Sequence, residues 1–374
     1  MHALALSPFH AGSHAAFLDG WQRHGRHRFA RLTLPGRLWK WRMRGAAVTF
    51  ADRLREEPWS DLVDRPSALW CTDMLDLAAF RGLAPRWAAA LPAAVYFHEN
   101  QLTYPVADRP AEAARRDEHF AFTNLTAALS AEAVWFNSAF HRDAFLAAAE
   151  RLCGRLPDAP PRDAAARIEA KAAVLPPGIE PPPTGPPERE PKREPGPMRL
   201  VWVSRWEHDK RPETFFAALD LLRERGVPFE VSVLGERYAA VPACFAAARE
   251  RLGPRVRRWG FLKSRAEYEA ELRAADAVVS TAGHEFFGLA VAEAAAAGCV
   301  PVVPRALAYP EVWGEAAIFH DNAPAGVADA LAQLAAGCER AWRNRSAAAR
   351  DRAARYHWPT RAAALDAALE RLVG

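Results

Sequence analysis

Several patterns are missing from this chain, and each absence closes off a class of chemistry. No apolar run approaches the roughly 20 residues of a membrane span, so no membrane span is expected. Met1-His2-Ala3-Leu4 is not a basic stretch followed by an apolar core, so no secretory signal is expected either. Cys71, Cys153, Cys244, Cys299 and Cys338 are odd in number and include no C-x-x-C pair. They read as buried thiols of a reducing compartment, and the chain as a soluble, cytoplasmic protein. G-x-G-x-x-G and G-x-x-x-x-G-K-[ST] are both absent, which removes the dinucleotide fingerprint and the P-loop. A zinc-protease helix starting at His98-Glu99 would need a second His where Leu102 stands. No D-x-D pair occurs, so no aspartate pair is available to hold a metal ion.

What is present points to two domains. A chain of 374 residues, half of them hydrophobic, exceeds what one core usually serves. The net charge of +4 permits an anionic partner without requiring one. Short β-branched or apolar runs at residues 3–6, 69–72, 95–98 and 133–137 alternate with helical segments, which implies a parallel sheet. The same rhythm resumes at residues 198–203, 229–234, 277–280 and 300–303. Between the halves, residues 176–197 are rich in Pro, Glu, Arg and Gly and read as an extended linker. The expected organisation is an N-terminal domain at 1–175, the linker at 176–197, a second domain at 198–358 and a terminal amphipathic helix at 359–374.

The chemistry concentrates where strands end, because parallel sheets bind ligands at their carboxyl edges. Residues 277–280 should be a buried strand and residues 292–297 a helix stopped at Gly298. Gly288 then lies at a strand-to-helix junction, whose free amides and dipole suit a phosphate. Glu285 and Glu293 bracket it with seven residues between them. A carboxylate there would repel phosphate unless directed at sugar hydroxyls. Arg205 and Lys210 follow the strand at 198–203, and two cations at that edge would stabilise a leaving diphosphate. Gly12 and Ser13 follow the first strand, Gly235 and Glu236 the strand at 229–234, and His98 ends the strand at 95–98. Asn137 and Ser138, at the next strand end, could also face a ligand.

The pair Glu285 and Glu293 resembles the E-x7-E motif of retaining GT-B glycosyltransferases. The resemblance implies an α/β fold of the GT-B type, two Rossmann-like domains facing across a cleft. It implies that Glu285 meets the donor sugar, that Glu293 bonds the nucleotide ribose, and that the backbone of Phe287, Gly288 and Leu289 meets the diphosphate. Trp259-Gly260-Phe261-Leu262 resembles the segment whose backbone reads the base. By likeness to enzymes of this organisation, the terminal helix is expected to cross back to the first domain. More narrowly, the HENQL string at 98–102, Tyr104-Pro105, the RWEHDK string at 205–210, and the residues at 10–14 and 39–42 resemble the tRNA-queuosine mannosyltransferase family. That family implies transfer of mannose from GDP-mannose to queuosine in a tRNA anticodon. With positive charge supplied by Arg205, Lys210 and a helix N-terminus, the expected reaction uses no metal, and no cofactor beyond the nucleotide-sugar co-substrate.

Residues 21–44 are basic and aromatic. Arg37, Trp39, Lys40, Trp41, Arg42 and Arg44 suit a polyanion with stackable bases, here tRNA. A solvated loop anchored by its tryptophans explains the same residue types. Two further alternatives stay open at this point: a small-molecule, lipid or polysaccharide acceptor, and a non-catalytic nucleotide-sugar or RNA-binding protein on the same scaffold.

Overall fold

The computed structural model describes residues 1–56, 65–105, 111–181, 196–237 and 241–374, with backbone alone for 111–117. The chain forms two units, Met1–Gly178 together with Trp358–Gly374, and Ile179–His357. Of the Pro-rich stretch 176–197, residues 182–195 lie outside the described residues.

The first unit runs β1 (His2–His10), α1 (Gly12–His24), β2 (Arg28–Pro35), α2 (Trp39–Glu56), β3 (Ala68–Thr72), α3 (Leu77–Leu83), α4 (Arg86–Ala89), β4 (Ala93–Phe97), α5 (Ala111–Ser130), β5 (Ala133–Phe136), α6 (Ala139–Gly154), α7 (Ala164–Glu169) and β6 (Ala172–Val174). Its sheet is parallel, in the order β2-β1-β3-β4-β5-β6. Strands β3 and β4 are buried at every position, as strands covered on both faces must be.

The basic stretch at 21–44 is not a loop. It contains the edge strand β2, whose Phe29, Leu32 and Leu34 turn inward, and the start of α2. Met43, Ala46, Ala47, Phe50, Ala51 and Leu54 recur at helical spacing on the buried face of α2. The high proportion of arginine hid this periodicity.

The second unit runs β7 (Met198–Val203), a 3-10 turn (His208–Lys210), α8 (Pro212–Glu224), β8 (Phe229–Leu234), α9 (Cys244–Leu252), β9 (Val256–Gly260), α10 (Arg265–Ala274), β10 (Ala277–Val279), α11 (Leu289–Ala296), β11 (Val300–Pro304), α12 (Tyr309–Trp313), β12 (Ile318–His320), α13 (Pro324–Ala336) and α14 (Glu339–Ala354). This parallel sheet has the order β12-β11-β10-β7-β8-β9. The strand order reverses between β1 and β3 in one unit and between β7 and β10 in the other. Open α/β sheets bind ligands at such switch points.

The last helix, α15 (Trp358–Val373), belongs to the first unit. Its Trp358, Ala362, Leu365 and Leu369 pack with Phe17, Trp21, Trp70 and Tyr96. Asp366 is buried on the same face. It accepts hydrogen bonds from the Trp21 indole at 2.8 Å and from the Arg26 amide at 2.8 Å. Among the described residues, no helix is long and apolar enough to cross a membrane.

Candidate active site

In the second unit, the segments that follow β7 and β10 leave adjacent parallel strands, and this adjacency brings their side chains together. Lys210 is buried, and its Nζ donates to the His284 carbonyl at 2.8 Å. It also lies 3.0 Å from an Asp209 oxygen and 3.5 Å from Glu285 Oε2. Burial alone would lower its pKa, but Glu285 and Asp209 outweigh it and the net shift is upward. Lys210 is therefore a fixed cation. Glu285 Oε1 accepts from the Gly288 amide at 3.1 Å, so one carboxylate links the ammonium to the start of α11. Gly288 is the N-cap residue at φ +90°. A Cβ there would come within 3.0 Å of the Tyr309 ring, so glycine is required on two counts. Phe287 is buried edge-on to Tyr356, and Leu289 opens the helix.

Arg205 is half-exposed and pairs with Glu207 at 3.2 Å. Gly235 explains how its segment is held. With φ +154°, a Cβ at Gly235 would lie 1.8 Å from the Ser204 carbonyl, so the end of β8 rests directly on the residue before Arg205. The Glu236 carbonyl accepts from the Trp206 amide at 3.1 Å. Gly235 and Glu236 thus support this loop through their backbone. Phe261 and Leu262 follow β9, and Phe261 is 63% exposed.

Glu293 lies on α11, where both its oxygens have partners on α10: Arg265 at 2.9 Å and the Tyr268 hydroxyl at 2.8 Å. Neither partner carries a signal in the sequence, because the contact joins two helices 25 or more residues apart. The supports of the β10 end were equally hidden. Ser280 Oγ meets the Tyr309 hydroxyl at 2.6 Å, and His320 Nε2 donates to the Ser280 carbonyl at 3.0 Å. His320 Nδ1 accepts from the Asn322 amide, which fixes a neutral tautomer. Burial pushes the His320 pKa down to about 4. His284 is also pushed down to about 4, first by burial and then by Lys210.

In the first unit, His98 follows β4. Its ring lies 4.1 Å from that of His14 at a tilt of 40°, on the helix that Gly12 and Ser13 begin. Burial, then His14 and His141, hold its pKa well below the usual value, so the ring is neutral. Its Nε2 is buried with no hydrogen-bond partner. The backbone of His98 is held from both sides: Asp73 Oδ1 accepts from its amide at 3.0 Å, and Asn137 Nδ2 donates to its carbonyl at 2.9 Å. Asn137 Oδ1 accepts from His141. Asn137 could face a ligand from its strand end; here both ends of its amide bond the scaffold. The rest of the HENQL string is an Asx-type turn. Asn100 Oδ1 accepts from the amides of Leu102 and Thr103, and Asn124 Oδ1 accepts from that of Gln101. Asp73 is itself well above the usual carboxyl pKa, through burial and the neighbouring Glu99.

The six basic and aromatic residues divide into two groups. Trp39 packs 5.2 Å from Phe120, in a small apolar cluster with Met43, Met74 and Phe9. Lys40 lies over the Trp39 ring, Arg44 over Phe120, and Arg42 donates to the Pro35 carbonyl at 3.2 Å. Trp41, in contrast, is 63% exposed, with Arg37 and Leu38 exposed beside it.

Comparison with known proteins places these geometries. A family model described as "tRNA-queuosine alpha-mannosyltransferase N-terminal" matches residues 2–179. A second, "Glycosyl transferases group 1", matches residues 197–336. The chain is 36% identical over 337 residues to the tRNA-queuosine alpha-mannosyltransferase of Drosophila melanogaster, covering 86% of this chain and 84% of that protein. Over 171 residues it is 30% identical to a GDP-mannose-dependent alpha-(1-6)-phosphatidylinositol dimannoside mannosyltransferase of Mycobacterium tuberculosis, covering 46% of this chain and 43% of that protein. Among solved structures, the sucrose-phosphate synthase of Thermosynechococcus elongatus superposes with a TM-score of 0.74 at 16% identity, over 100% of this chain and 99% of that one. A UDP-forming trehalose-phosphate synthase of Burkholderia xenovorans gives 0.69 at 15%, over 100% and 99%. At these identities the likeness speaks for the fold, which is GT-B.

Proposed function

Because the chain belongs to the tRNA-queuosine alpha-mannosyltransferase family, we propose that this glycosyltransferase transfers mannose from GDP-mannose to queuosine in a tRNA anticodon, with retention of configuration and without a metal ion. The observation that carries the donor half is the convergence of Lys210, Glu285 and the α11 N-terminus at the switch point of the second sheet. Cleaving a sugar–diphosphate bond builds negative charge on the leaving phosphate. A buried ammonium that cannot discharge, with Arg205 on the same strand end, favours that charged state over the ground state. Glu285 meets the donor sugar and Glu293 the ribose. His98, neutral and with a buried Nε2 lacking a partner, is the first unit's own candidate for contact with a substrate. Likeness to a GDP-mannose-dependent enzyme supports the donor. The exposed Trp41, beside Arg37, supports an acceptor with stackable bases and phosphates.

The test is incubation with a panel of radiolabelled nucleotide sugars and total tRNA, followed by nucleoside mass spectrometry. A hexose on queuosine, from GDP-mannose alone, is the expected result. Queuosine-containing tRNA that accepts no sugar from any donor would remove the acceptor. Transfer from another nucleotide sugar would replace the donor.

A further inference from the structure

We infer that Arg265 and Tyr268 are positioning residues for Glu293, setting its carboxylate to receive two vicinal hydroxyls of a nucleotide ribose; this rests on the donor-site reading above. The two side chains stand one turn apart on α10 and deliver one donor to each oxygen of Glu293, Arg265 Nη1 to Oε1 at 2.9 Å and Tyr268 Oη to Oε2 at 2.8 Å. An ionised carboxylate offers about four lone-pair sites. One site on each oxygen therefore stays available, and the two lie side by side, as vicinal hydroxyls do. Glu293 retains 23% of its side-chain exposure, so those sites are open to a ligand.

Without these partners a glutamate on a helix surface would sample several rotamers. Here the orientation is set, and the partners are themselves held. Arg265 Nε donates to Glu269 at 2.7 Å, and its guanidinium lies 5.2 Å over the Tyr268 ring. Ser264 caps the start of α10 by accepting from the Glu267 amide at 3.3 Å. Burial and Glu293 push the Tyr268 pKa well up, so its hydroxyl remains a donor. A plain clamp between α10 and α11 would show the same distances, so the two roles must be separated by what they do to ligand choice.

GDP, UDP and their 2′-deoxy counterparts serve as competitors of the sugar donor, against the wild type, Glu293→Gln, Tyr268→Phe and Arg265→Gln. The wild type should prefer the ribose form of the competing base, and Glu293→Gln should abolish the preference. Tyr268→Phe and Arg265→Gln should each reduce it by roughly three- to tenfold, with the donor KM rising by the same factor rather than kcat falling. If the wild type shows no ribose preference, if Glu293→Gln keeps that preference, or if neither base competes, the ribose role of Glu293 falls and this proposal with it. If Glu293→Gln loses the preference while Tyr268→Phe keeps it and the wild-type KM, the positioning role alone is overturned. Tyr268→Phe keeps the buried ring, so it decides the matter even if Arg265→Gln fails to fold.

Discussion

Counted from its own first strand, the second unit has the order 3-2-1-4-5-6, and the first unit has 2-1-3-4-5-6, one strand fewer on the β2 side of the switch point and one more on the β6 side. The switch points carry different cargo. In the second unit, charged side chains pair with one another: Lys210 with Asp209 and Glu285, Glu293 with Arg265. In the first, the buried polar groups Asp73, Asn124 and Asn137 hold the backbone around His98. One sheet plan thus carries two arrangements: a cluster of paired charges, and buried polar groups that hold the backbone beneath a histidine.

The largest effect should come from breaking the charged cluster. Lys210→Ala removes one partner of a buried network, which costs ~3–5 kcal/mol of stability. It also removes a contact worth ~3 kcal/mol at the transition state, or roughly a hundredfold in kcat. Arg205→Ala should show a similar loss of rate, but with stability changed by no more than ~1 kcal/mol, because its pair with Glu207 is partly exposed. Turnover at saturating donor and melting temperature, measured together, separate the two. Near-normal turnover in both variants would take the pair out of the site.

What could be seen from sequence follows the same division. Glu285, Gly288 and Lys210 come from two contiguous strings at strand ends, so spacing alone placed them on one edge; the strand–helix rhythm announced two parallel sheets, and the resemblance supplied the GT-B type. Strand β2 and helix α2 were hidden because arginines interrupt their apolar periods, while the pattern that matters falls on Leu32, Leu34, Ala46 and Phe50. Arg265, Tyr268, Tyr309 and His320 act through contacts between distant elements, which leave no local pattern. Asp366 lies in the terminal helix, whose sequence shows only that it is amphipathic. It is buried because the Trp21 indole and the Arg26 amide need an acceptor.

Asp366 gives the next test, on the scaffold side of the comparison. Asp366→Ala strands two donors and should cost ~2–4 kcal/mol. Amide hydrogen exchange should quicken in residues 1–178 and 358–374 and not in residues 179–357. Equal quickening in both units, or none, would show that α15 does not hold the first unit in this way.

A smaller effect is expected from the tryptophans of α2. Trp41→Ala should raise the KM for tRNA by an amount worth ~1–3 kcal/mol, the value of one base stack, and leave donor hydrolysis intact. The affinity should weaken with salt in both wild type and variant, because phosphate contacts persist. Trp39→Ala should instead lower the melting temperature, since that ring fills the cluster with Met43, Met74 and Phe120. If Trp39→Ala alone affects tRNA, the division between inner and outer residues is wrong.

The smallest effect expected is none at all, and it tests the charge argument directly. The developing charge on the leaving diphosphate needs a positive counterpart. Lys210 supplies a full charge that its pKa keeps in place, and Arg205 a second. The N-terminus of α11 adds roughly half a charge, part of which Glu285 already engages through the Gly288 amide. If this sum suffices, EDTA leaves turnover unchanged in the wild type. It should also leave the residual rate of Lys210→Ala unchanged, because no ion stands in for the missing ammonium. Activity lost on chelation and restored by Mn²⁺ or Mg²⁺ would mean that the cluster is one charge short, and that the two carboxylates around Lys210 face a metal-bound donor rather than a bare one.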